Sequence, residues 1–259
     1  MRPLLALLLC LLSGCSTDPP GSKIDARKLV DLSYTFDEKT VYWPNAEGFR
    51  HRKDTWKKTD AGYWYAAGEF TSAEHGGTHI DSPVHFSEGK MTLDQIPVSQ
   101  LVAAVVVIDV SHKTGSEHDY RVTPADITAW ESSNVPISAN SIVMFRTGWG
   151  KYWPDRKQYL GSDVKGDISN LHFPGLSKEA AELLVSRKVA GVGIDTASLD
   201  YGPSTDFISH QVLNAANIYG IENIAQAEKL PATGATLIVM PMKIGEGSGG
   251  PARVVALLP

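Results

Sequence analysis

Three histidines and an aspartate fall within eleven residues of this chain: His75, His79, Asp81 and His85. Imidazole and carboxylate side chains are the ligands expected for zinc, manganese or iron(II). In an extended segment, residues two apart face the same side, so His75, His79 and Asp81 would lie together. If the segment coils instead, His75 and His79 are still neighbours on one side. The spacing therefore predicts a metal centre.

The residues between these side chains favour one defined geometry. Gly76 and Gly77 allow close backbone approach or a positive φ. Ser82 and Pro83 are suited to cap and begin a short helix, which would place Asp81 and His85 about one turn apart. A chance cluster of surface or core histidines is the weaker interpretation. A histidine-rich metal buffer is also weaker, because such tracts lack interleaved Gly, Thr and Pro.

The composition excludes several classes of protein. The chain has 259 residues, of which 42% are hydrophobic and 20% charged, as in soluble globular proteins. Its length fits one large α/β domain or two small ones. With a net charge of −5, it offers no basic surface to attract nucleic acid. It also lacks the Gly-x-Ser-x-Gly elbow of a serine hydrolase.

The first fifteen residues have the pattern of a bacterial export signal. Arg2 precedes an apolar run, residues 4–12, that is too short to span a bilayer. The run ends in Leu-Ser-Gly-Cys, which resembles a lipobox and predicts lipid attachment at Cys15. We therefore expect a signal peptide over 1–15, a flexible tether over 16–26 and an exported periplasmic or cell-surface lipoprotein. Simple secretion is the alternative.

The cysteine count limits the chemistry further. Cys10 and Cys15 are the only cysteines, so the exported domain has no internal disulfide. A thiolate metal site and a cysteine nucleophile are excluded for the same reason.

Apolar runs and one amphipathic segment predict alternating strands and helices. The clearest helix is 177–188, with Ser177 as its N-cap, and a second helix is expected over 207–216. Continuous hydrophobicity predicts strands buried on both faces. The predicted strands are 101–110, 141–146, 189–194, 236–240 and 253–258. This alternation favours an α/β fold in one catalytic domain, residues 27–259.

The segment from His75 to His85 resembles the His-x-Gly-Thr-His-x-Asp-x-Pro-x-His signature of the cyclase family of metal-dependent hydrolases. That family includes bacterial kynurenine formamidases and isatin hydrolases. The likeness extends to Trp43-Pro44, to His210 and Glu222, and to the C-terminal pattern around 241–253. It covers about residues 28–259. The resemblance implies a single domain with a mixed, partly barrel-like sheet covered by helices.

The resemblance also implies roles for individual residues. His75, His79 and Asp81 would hold one metal, and Asp81 would bridge to a second one held by His210 and Glu222. His85 would be the general acid/base, and Trp43 would contact the substrate. Gln211 is a possible alternative ligand, because related isatin hydrolases are thought to use a glutamine and a single manganese. Zinc is expected, with manganese as the alternative and one or two ions.

The residues themselves leave two of these assignments open. Glu222 interrupts an apolar stretch, where an unpaired carboxylate would be costly, but a glutamate on a helix surface is the other interpretation. For His210, the other interpretation is a core histidine with its hydrogen bonds satisfied.

The implied activity is hydrolysis of a small aromatic amide. We expect an arylformamidase that converts N-formylkynurenine to kynurenine and formate, with opening of the isatin lactam ring as a close second because of the export signal. Six aromatic residues in the N-terminal part of the chain could stack on the substrate ring: Tyr42, Trp43, Trp56, Tyr63, Trp64 and Tyr65. Packing in the core is the better interpretation for each of them except Trp43. The family also implies a homo-oligomer, which contacts a membrane only through a lipid anchor.

An alternative from another class is an exported metal- or ligand-binding protein without catalysis. The presence of His85, which the metal site itself does not need, argues against it.

Overall fold

The computed structural model describes residues 24–259. The predicted signal peptide, Cys15 and most of the predicted tether lie outside the described residues. The strands are β1 Leu29–Asp31, β2 Arg50–Lys58, β3 Trp64–Thr71, β4 His79–Asp81, β5 Val102–Asp109, β6 Arg121–Val122, β7 Ile142–Arg146, β8 Gly175–Leu176, β9 Gly191–Ile194, β10 Tyr219–Glu222, β11 Ala235–Pro241 and β12 Gly249–Leu257.

Six α-helices and several 3-10 turns connect these strands. The helices are α1 Val98–Leu101, α2 Ser111–Thr114, α3 Pro124–Ser133, α4 Arg156–Leu160, α5 Lys178–Arg187 and α6 Ile208–Ala215. The 3-10 turns are Ala26–Lys28, Pro83–His85, Leu93–Gln95, Trp149–Tyr152 and Ala227–Lys229.

Seven strands close into a barrel-like sheet in the order β12-β11-β5-β7-β9-β10-β4, and β4 pairs back onto β12. Strands β5, β7, β9 and β10 run parallel, whereas β11, β12 and β4 pair antiparallel. The other end of β12 pairs with β1. The predicted mixed, partly barrel-like α/β domain is confirmed.

The central strands are buried on both faces, as their continuous hydrophobicity predicts. In β5, Val105 and Val107 join one core cluster, whereas Val106 and Ile108 join another between the sheet and helices α3, α5 and α6. This split follows from the two-residue period of a strand. The same period places Ile80 of β4 in the first core cluster and its neighbours on the opposite face.

Helix α5 confirms the predicted capping. The hydroxyl oxygen of Ser177 accepts a hydrogen bond from the backbone N–H of Ala180 at 3.2 Å. At the other end, Lys188 adopts a left-handed conformation, φ 55°, and its N–H donates to the carbonyl of Val185. The helix therefore ends at Arg187, one residue before the predicted bound.

Strands β2 and β3 form a separate two-stranded hairpin that the sequence analysis did not predict. It carries four of the aromatics for which core packing was the preferred interpretation. That interpretation is wrong here, because these side chains are half exposed or more: Trp56 51%, Tyr63 62%, Trp64 57% and Tyr65 50%. Both strands of the hairpin are exposed along most of their length, so these side chains are not part of the core. Tyr42, in contrast, is buried.

Between Ile24 and Pro259, no helix is both long and apolar enough to cross a membrane.

Replacing Ser177 with alanine should lower the free energy of unfolding by about 1 kcal/mol, because the first turn of α5 loses its capping acceptor. Urea denaturation measures the effect. The matched control is Ser186→Ala on the same helix, whose exposed hydroxyl donates only to the carbonyl of Leu183. Equal destabilisation by both substitutions would contradict the capping role.

Candidate metal centre

Two adjacent strands bring together the first acidic and imidazole side chains of the site. His79 and Asp81 alternate on β4 and therefore share a face. Glu222 ends β10 and lies directly opposite His79 in the antiparallel register. Cross-strand neighbours of this kind have side chains in contact distance, so His79, Asp81 and Glu222 meet at one spot.

Glycines flank Asp81 on both neighbouring strands. Gly220 of β10 and Gly249 of β12 are its register partners. A Cβ at position 220 would lie 3.0 Å from Oδ2 of Asp81, and one at position 249 would lie 2.5 Å from Cε1 of His75. Side chains at these positions would therefore fill the space around the carboxylate.

His75 reaches the site from a bend rather than from the strand. Gly76 and Gly77 have φ values of 153° and 58°, as the sequence allowed, and each packs against an aromatic ring. A Cβ at Gly76 would come within 2.1 Å of Tyr42, and one at Gly77 within 2.6 Å of Phe36. The two-residue period of an extended segment therefore places His79 and Asp81 on the same side, but not His75. His75 is turned back toward them by the two glycines.

Helix α6 supplies His210 from the opposite side of the cluster. Its start is fixed by Asp200, whose carboxylate accepts from the backbone N–H of Ser209 at 2.8 Å and of His210 at 3.2 Å. The same carboxylate accepts from Nδ1 of His210 at 2.6 Å. Asp200 therefore sets both the position and the orientation of the imidazole.

The resulting cluster contains two groups that share one carboxylate. His75, His79 and Asp81 form one group, and Asp81, His210 and Glu222 form the other, with the ligand atoms of each group within 4.8 Å of one another. Oδ1 of Asp81 lies 2.6 Å from Nδ1 of His75 and 3.2 Å from Nε2 of His79. Nε2 of His210 lies 3.0 Å from Glu222 and 3.4 Å from Asp81.

The hydrogen bonds around two histidines leave one lone pair of each directed at the cluster. Nδ1 of His79 donates to the carbonyl of Gly77 at 2.9 Å, and Nδ1 of His210 donates to Asp200. In a neutral imidazole the other nitrogen is then an acceptor. Nε2 of His79 is buried and, although it lies 3.2 Å from Oδ1 of Asp81, it forms no hydrogen bond with acceptable geometry. Such an atom requires an explanation, and a metal ion supplies one.

The donor set fits a divalent cation. Imidazole nitrogens and carboxylate oxygens converge in a space where Asp81 is 1% exposed and His79 2%. Buried carboxylates are stable when paired or when they coordinate a metal. Among the described residues, the ion pairs of Asp81 and Glu222 involve histidines only. A metal ion would satisfy both carboxylates and the free imidazole nitrogens.

The pKa shifts report the same requirement for positive charge. Burial alone would lower the pKa of His79, but the nearby carboxylate of Asp81 raises it to about 9. Burial likewise opposes protonation of His210, yet Asp200, Asp81 and Glu222 raise its pKa above the ordinary value. Burial and the charge of Asp81 together raise the pKa of Glu222. The pKa values of His79, His210 and Glu222 thus shift toward more positive or less negative charge. For Asp81, burial is outweighed by these histidines and His75, which lower its pKa and keep it ionised.

His85 lies beside the cluster but outside both ligand groups. It ends the 3-10 turn Pro83–His85, and its ring stacks on His75 with centroids 3.8 Å apart. Burial lowers the pKa of His85 to about 3, so its imidazole is neutral near pH 7. The predicted short helix is present, although Ser82 does not cap it with its side chain. The Ser82 hydroxyl donates instead to the backbone carbonyls of Gly247 and Ser248.

A cavity of about 230 Å³ opens onto this cluster. Trp43 lines it and makes edge contacts with Phe173 and Phe207; its contact with substrate stays a prediction. The other lining residues are Val41, Tyr42, His75, Gly76, His79, His85, Phe86, Ala197, Ser198, Phe207, His210, Glu222 and Asn223. An apolar chamber with a few convergent polar groups is typical of a small-molecule site.

Gln211 lies outside the cluster, and its prediction as an alternative ligand is corrected. It follows His210 on α6, and successive helical side chains diverge by about 100°. Gln211 is exposed, and its side-chain amide donates to the carbonyl of Asp206.

Sequence reasoning missed four polar residues that support the site. Asp200 orients His210, and Asn223 donates to the carbonyl of Gly77 at 2.8 Å. Glu74 and Ser248 hydrogen bond to each other beside His75. The sequence carries a signal for two of these residues. Asp200 ends a segment with acidic and polar residues, and Ser248 interrupts a run of glycines, residues 245–250. The assignment of His75, His79, Asp81, His210 and Glu222 as ligands stays a prediction.

Comparison with known proteins defines the class. A family profile described as putative cyclase matches residues 30–201. An isatin hydrolase of Roseibium aggregatum is 36% identical over 206 residues, covering 76% of this chain and 77% of that protein. A kynurenine formamidase of Bacillus cereus is 26% identical over 230 residues, covering 87% and 95%.

Solved structures agree with the sequence comparison. The crystal structure of an isatin hydrolase bound to the product analogue thioisatinate superposes with a TM-score of 0.82 at 31% identity, covering 90% of this chain and 92% of that one. Isatin hydrolase A of Ralstonia solanacearum gives 0.81 at 30% identity, covering 89% and 92%.

The fold and the site thus define a metal-dependent hydrolase that acts on amide C–N bonds. The chain belongs to the cyclase family, as the segment from His75 to His85 indicated. The alternative of a binding protein without catalysis does not agree with this class.

Metal should stabilise the fold measurably. A metal that binds only the native state adds about 2.7 kcal/mol at a free concentration of one hundred times its Kd. We expect Zn²⁺ or Mn²⁺ to raise the melting temperature of chelator-treated protein, read by calorimetry. Asp81→Asn should abolish most of this gain, because Asp81 contributes to both ligand groups. A gain that survives in Asp81→Asn would place the metal elsewhere.

Proposed function

We propose that the chain hydrolyses the lactam of isatin or of a closely related small aromatic amide. This proposal rests mainly on the lining of the cavity, which away from the metal cluster is aromatic and apolar except for Ser198 and Asn223. Isatin is a compact, uncharged bicyclic ring, and Trp43 and Phe207 offer faces and edges to pack it. Greater identity to the isatin hydrolase than to the kynurenine formamidase supports the same choice.

N-formylkynurenine is the second candidate substrate. The match to a kynurenine formamidase, which covers 95% of that protein, supports it. This substrate carries an amino-acid group that is charged at neutral pH. Among the described residues that line the cavity, none is a lysine or arginine that could pair with its carboxylate. Burying an unpaired charge is costly, so the cavity suits the neutral substrate better.

The chain's own residues can perform the proton transfers. A divalent metal in such a site acidifies water and polarises the amide carbonyl. His85, neutral and next to the cluster, is placed to accept the proton that the attacking water loses. It can then deliver that proton to the nitrogen released when the C–N bond breaks. The ring of Trp43 would hold the substrate within reach of His85.

The residues support zinc as the first choice of metal. Neutral imidazoles with one or two carboxylates are common zinc ligands, and the same set also accepts manganese. The shared carboxylate of Asp81 gives the cluster room for two ligand groups, which fits one ion or two.

Export of the enzyme, with a lipid on Cys15 or by simple secretion, remains part of the proposal. An exported hydrolase would meet an indole derivative from the surroundings rather than an intermediate of cytosolic tryptophan breakdown. The family resemblance also supports a homo-oligomer.

His85→Ala should retain the metal and lose roughly 100- to 10,000-fold in kcat, the range typical of a general acid/base. Metal content by elemental analysis and kcat by absorbance give the two readouts. The control is His112→Ala, because His112 is exposed on α2. Loss of metal in His85→Ala would identify His85 as a ligand instead.

The two substrates should separate clearly in parallel assays of residues 16–259. We expect kcat/KM for isatin to exceed that for N-formylkynurenine, because only the latter brings a charged group into the cavity. The reverse order would reject the substrate choice while leaving amide hydrolysis intact. Full activity in protein shown to be metal-free would contradict the metal-dependent mechanism itself.

A further inference from the structure

We infer that Ser248 and Glu74 form a positioning pair that keeps the proton of His75 on Nε2, so that Nδ1 is the atom His75 presents to the metal. This inference rests on the proposed metal centre. It concerns two residues outside the ligand set, and neither would touch the substrate or the ion.

The loop before β12 brings Ser248 to the outer side of the His75 ring. The carbonyl of Ser248 accepts from the N–H of Ser82 at 2.8 Å and from its hydroxyl at 2.6 Å. This fixes the loop to the residue after Asp81. The hydroxyl oxygen of Ser248 then lies 2.9 Å from Nε2 of His75.

Glu74 holds Ser248 from the other side. Its carboxylate oxygen Oε2 accepts from the backbone N–H of Ser248 at 3.0 Å and also from the Ser248 hydroxyl. Two donors from one residue place the carboxylate beside the hydroxyl, and both side chains are only partly buried.

The positions of the protons follow from counting donors. A serine hydroxyl has one proton, and an ionised carboxylate can only accept. The Ser248 proton is therefore committed to Glu74. The oxygen of Ser248 can interact with His75 only as an acceptor, which requires a proton on Nε2. A neutral His75 then has its lone pair on Nδ1, the atom 2.6 Å from Oδ1 of Asp81; two acceptors this close need a cation bound to both.

The two ring nitrogens of His75 therefore have the opposite roles to those of His79 and His210. His79 and His210 each donate through Nδ1 to an oxygen outside the cluster and direct Nε2 inward. His75 donates through Nε2 and directs Nδ1 inward. Three different acceptors thus leave three lone pairs aimed at one place, and each tautomer is set by its outer hydrogen bond.

Because Glu74 acts on His75 indirectly, through the Ser248 hydroxyl, the arrangement also limits the negative charge buried beside His75. A carboxylate that fixes a ligating histidine raises its basicity and metal affinity. Asp81, Glu222 and Asp200 already place negative charge in and beside the buried cluster, and a fourth buried carboxylate next to His75 would add to the desolvation cost. Glu74 acts through one hydroxyl and stays partly in contact with solvent.

Zinc affinity and the tautomer of His75 test the pair together. Zn²⁺ affinity is measured by competition with a chelator in the parent protein, Ser248→Ala, Ser248→Thr, Glu74→Gln and a control, Ser132→Ala. Ser132 is a serine on α3 whose hydroxyl donates to a backbone carbonyl. The tautomer is read from ¹⁵N spectra of histidine-labelled, zinc-loaded protein, with the His75 signals identified by their loss in His75→Gln.

Ser248→Ala and Glu74→Gln should each weaken zinc binding by roughly 10- to 100-fold, the usual effect of removing the partner of a metal-ligating histidine. Ser248→Thr, which keeps the hydroxyl, should restore affinity to near the parent value, and Ser132→Ala should leave it unchanged. In the parent, the His75 signals should show a proton on Nε2 and metal on Nδ1.

Two results would overturn the inference: parent-like zinc affinity in both Ser248→Ala and Glu74→Gln, or zinc on Nε2 of His75 in the parent. If Ser248→Ala does not fold, Glu74→Gln and Ser248→Thr still decide, because each retains the backbone of the loop. Failure of the parent to bind zinc or manganese is a different outcome, which rejects the proposed metal centre itself.

Discussion

Two buried carboxylates that face the inward nitrogens of three histidines set the main constraint on this molecule. Asp81 and Glu222 lie on adjacent strands with their oxygens directed into one space, and His79 directs an unpartnered nitrogen into the same space. Such a group of acceptors repels itself unless positive charge is present. The barrel therefore brings together, at the β4–β10 pair, a set of side chains whose stability depends on a cation. Metal affinity and fold stability are two measures of one interaction.

The surrounding structure follows from the need to hold these acceptors in place. Glycines at 220 and 249 leave the space around Asp81 open, and glycines at 76 and 77 turn His75 back over β4. Each histidine is held by an outer hydrogen-bond acceptor: Gly77 for His79, Asp200 for His210 and Ser248 for His75. Orientation by outer partners explains how histidines from one strand, one bend and one helix can converge on a single cluster.

Local pattern was enough to predict the parts of this fold that depend on local physics. The period of two in β4 placed His79 and Asp81 together, and Ser177 marked the start of α5 because capping acts over three residues. The convergence of His210 and Glu222 on Asp81 depends on closure of the sheet across more than 120 residues. It was reached through family resemblance, because no local pattern encodes it. Gln211 shows the limit of inference from family resemblance. It follows His210 directly in the sequence, and consecutive side chains on a helix point in different directions.

The exposed hairpin β2–β3 shows a second limit. Its aromatic residues have the composition of core strands, and composition alone cannot distinguish a buried strand from one that extends away from the barrel. Trp56 pairs with Ala66 and Trp64 with Lys58, and both tryptophans are more than half exposed. Burial is a property of what packs over a strand. Of the six aromatics singled out in the sequence, Tyr42 and Trp43 are the two that line the cavity, and both precede the hairpin.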